Sequence, residues 1–92
     1  MMIAKLNAKQ IQGNLDDDHW SARLLAEIVC SSYWGGAGVD LRELDRLDAD
    51  NWRQAVAIMG YRRTPGWDDA EFYALACWGR TRHHLAQWDK AD

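Results

Sequence analysis

Apolar residues in this chain recur at spacings of three and four, and no stretch alternates apolar with polar as a half-buried strand does. That period lines apolar side chains along one stripe of a helix. The expected fold is therefore all-α, a compact bundle of four to five short helices. With 92 residues there is room for one domain, residues 1–92. A bundle this small has a thin core. Six tryptophans (Trp20, Trp34, Trp52, Trp67, Trp78 and Trp88) supply large side chains to fill it, each aromatic burying about 150–250 Å². A tryptophan left outside the core is an anchor suited to a protein interface.

Punctuation is sparse. Proline occurs once, at Pro65, and glycine clusters at Gly35, Gly36 and Gly38. Ile3, Leu6 and Ile11 suit a weak helix or an arm packed on the domain over residues 1–15, ended by Gly13-Asn14. Asp16-Asp17-Asp18 then puts carboxylates where a helix begins, at the positive end of its dipole. Trp20, Leu24, Leu25, Ile28 and Val29 predict that helix over 18–32. Three adjacent carboxylates diverge, so capping is expected there rather than a cation. Residues 33–39 read as a turn. A phosphate loop would follow a strand and lead into Gly-Lys-Ser/Thr, whereas this one follows a helix and leads into Val39-Asp40.

Asp40 and Glu43 form a capping pattern for a short helix over 41–47, with Leu41, Leu44 and Leu47. Asp48 or Asp50 caps the next, over 50–63, with Trp52, Ala55, Val56 and Met59 as its expected buried face. Arg62 and Arg63 fall in its last turn, favoured by the dipole, and Pro65 prevents continuation. The last helix opens with Asp68 and Glu71 as a capping box and Trp67 with Phe72 as a hydrophobic staple. Tyr73, Leu75, Ala76, Trp78, Leu85 and Trp88 carry it to near Asp89, with a kink expected near Gly79-Arg80 because glycine weakens a helix interior.

Little here points to chemistry. Cys30 and Cys77 are far apart and lack CxxC spacing, so they read as reduced, mostly buried thiols. His83 and His84 project about 100° apart on a helix and cannot chelate together as an i, i+4 pair does. They are expected at the surface or rim, with His19 distant. No serine sits in a GxSxG elbow, and Cys77 is too far along the helix from the histidines for a local catalytic pair. The expectation is no enzyme activity, no metal and no cofactor. No apolar run reaches the roughly 18–20 residues that span a membrane. The start lacks the apolar core of a signal peptide. A cytoplasmic protein with no membrane partner is expected.

Charge separates two binding readings. A net charge of −3 argues against a general polyanion binder. The stretch from 40 to 50 holds Asp40, Glu43, Asp45, Asp48 and Asp50 against Arg42 and Arg46. Capping accounts for Asp40, Glu43 and Asp48, while Asp45 and Asp50 are spare. The candidate partner-binding residues are Asp40, Glu43, Asp45 and Asp50 with Trp34 and Trp67. The alternative is a nucleic-acid patch of Arg62, Arg63, Arg80 and Arg82 beside Trp67 or Trp88. The helices flanking residues 64–67 suggest a helix-turn-helix, but its second helix starts Asp68-Asp69-Ala70-Glu71, which would face phosphates. Exposed tryptophans beside the acidic stretch would favour protein binding. Convergence of the four arginines would favour nucleic acid.

The order of signals has a parallel. Ala22-Arg23-Leu24-Leu25-Ala26 leads to a tryptophan-containing turn, Gly35-Gly36, and Val39-Asp40-Leu41-x-x-Leu44. A hydrophobic helix, a proline and Phe72-x-x-Leu75-x-x-Trp78 follow. Over roughly residues 20–80 this resembles a small uncharacterised family of bacterial mobile elements, prophages and integrated plasmids. That family often carries proline two residues after the last tryptophan of the motif, where Arg80 stands here, which suits a longer last helix. The family carries no established activity. The resemblance implies a small mobile-element accessory protein; with small size, net acidity and abundant tryptophan, that context points to a protein-binding role such as steric inhibition of a host defence effector by an anti-CRISPR-like protein.

Overall fold

A computed structural model describes residue 13 and residues 19–35 and 39–90. Among these residues the chain forms four α-helices and no strand, as an all-α bundle should. They are α1 (Trp20–Trp34), α2 (Leu41–Leu44), α3 (Ala49–Met59) and α4 (Asp69–Arg82), with 3-10 turns at Tyr61–Arg63 and Ala86–Trp88. The expectations for residues 1–15 and for Asp16-Asp17-Asp18 lie outside the described residues, apart from Gly13, which is helical and exposed.

Helix α1 is the hub. It buries Ala22, Leu24, Leu25, Ala26, Ile28, Val29 and Cys30, a stripe wide enough to pack against α4 and α3 together. Helix α4 runs antiparallel to it. Arg23 reaches the His83 carbonyl, Cys30 the Ala76 carbonyl, and Tyr33 meets Phe72 and Asp69. Helix α3 runs in the same sense as α1. Arg46, just before α3, lies over Trp20, and Met59 at its end stands with Ile28, Ser31 and Ser32. Two helices running the same way need a return connection. The chain through α2 supplies it, with Leu41 near the end of α1 and Arg46 near its start. Phe72, Leu25, Ile58, Leu85, Val29 and Cys30 are the largest fully buried side chains.

Several boundaries differ from the sequence expectations. Helix α1 starts at Trp20, where His19 is the N-cap and its Nδ1 accepts from the Ser21 N–H at 3.4 Å. It continues through Tyr33 and Trp34, because both rings pack inward, and stops at Gly35 with φ 73. That left-handed conformation suits glycine. Helix α2 is a single turn. Its cap, Asp40, accepts from the Arg42 N–H at 3.0 Å and from the Arg42 guanidinium at 3.3 and 3.4 Å. Arg42, rather than Glu43, answers the capping carboxylate.

Asp48 caps α3, accepting from the Asn51 N–H at 2.8 Å, and Gly60 ends it before the 3-10 turn that carries Arg62 and Arg63. The expected buried face of α3 holds at Ala55, is half-buried at Val56 and is corrected at Trp52 and Met59. Trp52 and Met59 are exposed, while Ala55, Ala57 and Ile58 are buried. Two apolar stripes lie about 100° apart on this helix. The one led by Ile58 wins because it continues into Tyr61, which wedges against Phe72 at 5.1 Å.

Helix α4 opens as expected, with the Asp68 carboxylate accepting from the N–H groups of Ala70 at 2.8 Å and Glu71 at 3.2 Å. Tyr61 stands between the two staple residues, 6.3 Å from Trp67 and 5.1 Å from Phe72. Its hydroxyl accepts from the Asp68 N–H at 3.0 Å. Helix α4 is not broken near Gly79-Arg80, where a kink or break is expected from the sequence. Gly79 is buried mid-helix and α4 runs to Arg82. A glycine costs about 1 kcal/mol in a helix, less than the packing of Phe72, Leu75 and Ala76 supplies to keep α4 whole. The chain turns instead at His83-His84, where His84 takes φ 54. His83 is buried rather than at the rim, and Leu85 and Trp88 return to the core.

Candidate functional site

The two sides of α1 present different chemistry. On the α4 side the end of α1 is closed by groups from elsewhere in the chain. Helix α1 has no basic residue in its last turn, so its unpaired carbonyls need partners. Arg62 donates to the Ser32 and Tyr33 carbonyls, each at 3.1 Å. The Trp88 indole N–H donates to the Gly35 carbonyl at 3.1 Å. Arg80 donates to the Trp88 carbonyl at 3.0 Å and lies 4.7 Å over the Trp34 ring. Tyr33, Trp34, Phe72 and Tyr73 form an edge-to-face and tilted aromatic cluster around this point.

This arrangement settles where the expected arginine patch lies. Arg62 and Arg80 come to the same aromatic pair, Tyr33-Trp34, and both guanidinium groups are hydrogen-bonded to main-chain carbonyls of this chain, Arg62 at the surface and Arg80 half-buried. Arg63 is exposed on the 3-10 turn, and Arg82 is half-buried near the end of α4. Trp34 is half-buried beneath Arg80, and Trp67 stands with Tyr61 before α4.

Titration in this seam reflects closure. Lost solvation, then the hydrogen bonds of its hydroxyl to both Asp69 oxygens at 3.1 Å, push Tyr33 above the usual phenol range. Burial pushes the Cys30 thiol from an ordinary 9.0 up to about 12, with the Arg80 charge pulling weakly the other way. Cys30 is therefore a neutral thiol donating to the Ala76 carbonyl at 3.5 Å, not a nucleophile. Cys77 is half-buried, its sulfur 3.9 Å from Arg80.

The other side of α1 is open. A groove of about 180 Å³ is lined by Ile28, Val39, Leu41, Leu44 and Met59, with Ser31 and Ser32. Leu41 is 71% exposed and Met59 49%. On the same helices Trp20 is 41% and Trp52 45% exposed, and Trp52 shares the Met59 face of α3. On α2, the turn after it and the start of α3, Asp40, Glu43, Asp45 and Asp50 are all exposed. Arg42 is paired with Asp40, Arg53 reaches Asp50 at 3.7 Å, and Arg46 covers Trp20 at 5.3 Å. The Glu43 and Asp45 carboxylates have no ion pair among the described residues. The Arg42 guanidinium, and then its backbone N–H, hold Asp40 below the usual carboxylate range.

The sequence reading named the acidic rim but missed the floor it surrounds. Leu41 was legible only as a helix position, and Trp52 and Met59 as core. The signal that finds them is the second apolar stripe of α3, which has no partner once Ile58 faces inward.

A second cavity, of about 330 Å³, is lined by Arg80, Thr81, His84, Ala86 and Asp89. Its cation, Arg80, is already held by Trp88 and Trp34. Among the described residues no group of three or more His, Cys, Asp or Glu side chains could hold a metal ion, and no helix is long and apolar enough to cross a membrane. The chain matches no family model, no curated protein and no solved structure among those compared.

Proposed function

We propose that this chain is a non-enzymatic protein-binding module that presents the groove between α1, α2 and α3 to a partner. The observation that carries this reading is the exposure of Leu41 and Met59 at the groove, with Trp20 and Trp52 also exposed on α1 and α3; on the α4 side Trp67 and Tyr73 are exposed less, at 39% each. Apolar surface that folding leaves uncovered is a candidate interaction site, and exposed tryptophan is enriched among the residues that dominate binding energy. Nucleic-acid binding has less support, since Arg62 and Arg80 use their donors within the fold and the open side carries an acidic rim. In its finer form the role is that of a mobile-element accessory protein that sterically blocks a host defence effector in the cytoplasm. The resemblance noted above motivates that form.

Site-specific photo-crosslinking in cells tests the reading. A photoreactive residue at position 41 or 59 is expected to capture the same protein species, and one at position 73, on the closed side, is expected not to. Capture from position 73 with none from 41 or 59 would move the interface to the aromatic side and defeat the proposal.

A further inference from the structure

We infer that the segment seated in this groove carries one large apolar side chain flanked by lysine or arginine. The inference rests on the protein-binding reading and adds the partner's chemistry.

Size sets the first part. A groove of about 180 Å³ accommodates one large side chain rather than the broad face of a second bundle. Its lining is five apolar side chains, Ile28, Val39, Leu41, Leu44 and Met59, against the two hydroxyls of Ser31 and Ser32, so an apolar side chain fits it best and most polar groups there would lose more water than they gain in partners. Methionine at the lip adds adaptability, since its unbranched thioether conforms to differently shaped anchors.

Charge sets the second part. The arginine on α2, Arg42, already faces Asp40, while Arg46 lies over Trp20 at the start of α1 and Arg53 faces Asp50 at the start of α3. The side chains of Glu43 and Asp45 have no ion pair among the described residues. They sit on α2 and the turn after it, beside Leu41 and Leu44 of the groove. An arriving cation gains attraction from these carboxylates without breaking an existing pair. An arriving anion is repelled by the same carboxylates, and the Arg42 guanidinium beside them is already on Asp40. Complementary charge raises encounter rate and selects among partners, so the rim discriminates while the groove anchors.

The probe is a random-peptide display library selected on the purified chain and re-tested on Met59→Asp and on Glu43→Lys/Asp45→Lys. The expected peptides share one Leu, Ile, Met or Phe with Lys or Arg on either side. They lose binding on Met59→Asp, weaken about tenfold on the double charge reversal, and weaken with rising salt. Selected peptides that are acidic or neutral yet still lost on Met59→Asp would overturn the basic partner and leave the groove standing. Peptides that bind Met59→Asp as well as the parent, or a library that yields none, would overturn the groove as well. A chain that sediments as a dimer and is made monomeric by Met59→Asp would assign the face to a second copy and also defeat the inference.

Discussion

Helix α1 meets α4 on one side and the α2–α3 connection on the other, and the two sides divide the work of this small protein. Against α4, aromatic rings interlock, main-chain carbonyls receive donors from Arg23, Arg62, Arg80 and Trp88, and no buried side-chain polar atom lacks a partner among the described residues. Against α2 and α3, the core is closed by Ile28, Leu44 and Ile58, but Leu41, Trp52 and Met59 are left in water. The difference teaches that apolar residues at helical spacing are not all recruited by folding. A bundle with a thin core can complete one seam and keep the other for something else.

Substitutions test this division. The largest effect belongs to Phe72→Ala, which empties the centre of the closed seam between Tyr33 and Tyr61. It is expected to destabilise by about 3–5 kcal/mol, read as a shift in the urea midpoint. Alkaline pH comes next. The Cys30 thiol is raised in the folded chain, so the folded state keeps its proton where the unfolded state has lost it. Stability from this residue is complete below pH 9.0 and falls as pH climbs toward 12. Relative to Cys30→Ala, the parent should lose on the order of 2 kcal/mol by about pH 11. A parallel response of the two would contradict closure at Cys30.

Smaller effects follow. Arg62→Ala removes two donors from the end of α1 and should cost about 1–2 kcal/mol. Lysine should restore only part of it, lacking the planar fork. Asp68→Ala uncaps α4, with an expected loss of about 1 kcal/mol. Smallest is Leu41→Ser on the open side. With its side chain largely in solvent, it should stay within about 0.5 kcal/mol of the parent.

How much of this was legible depended on whether the signal was local. The Asp40, Asp48 and Asp68 caps were readable because capping is settled within four residues. The fold class followed from the period of the apolar residues. The rotation of α3 did not, because stripes led by Trp52 and by Ile58 have the same spacing, and the choice is made by Tyr61 meeting Phe72 across the bundle. The roles of Arg62 and Arg80 were hidden for the same reason. Read locally they complement their own helix ends or form a basic patch. In the fold they serve the end of α1, some thirty and nearly fifty residues away. The acidic rim was visible as charge, but its groove exists only after α2 folds back beside Ile28.

The central claim is that the open side is surplus to folding. Thermal unfolding of the double variant Leu41→Asp/Met59→Asp, run beside Phe72→Ala, tests it most directly. The double variant is expected to melt within about 5 °C of the parent while Phe72→Ala falls by more than about 12 °C. A double variant that falls as far as Phe72→Ala would show that Leu41 and Met59 hold the fold together, and the groove would then be core rather than a surface kept for a partner.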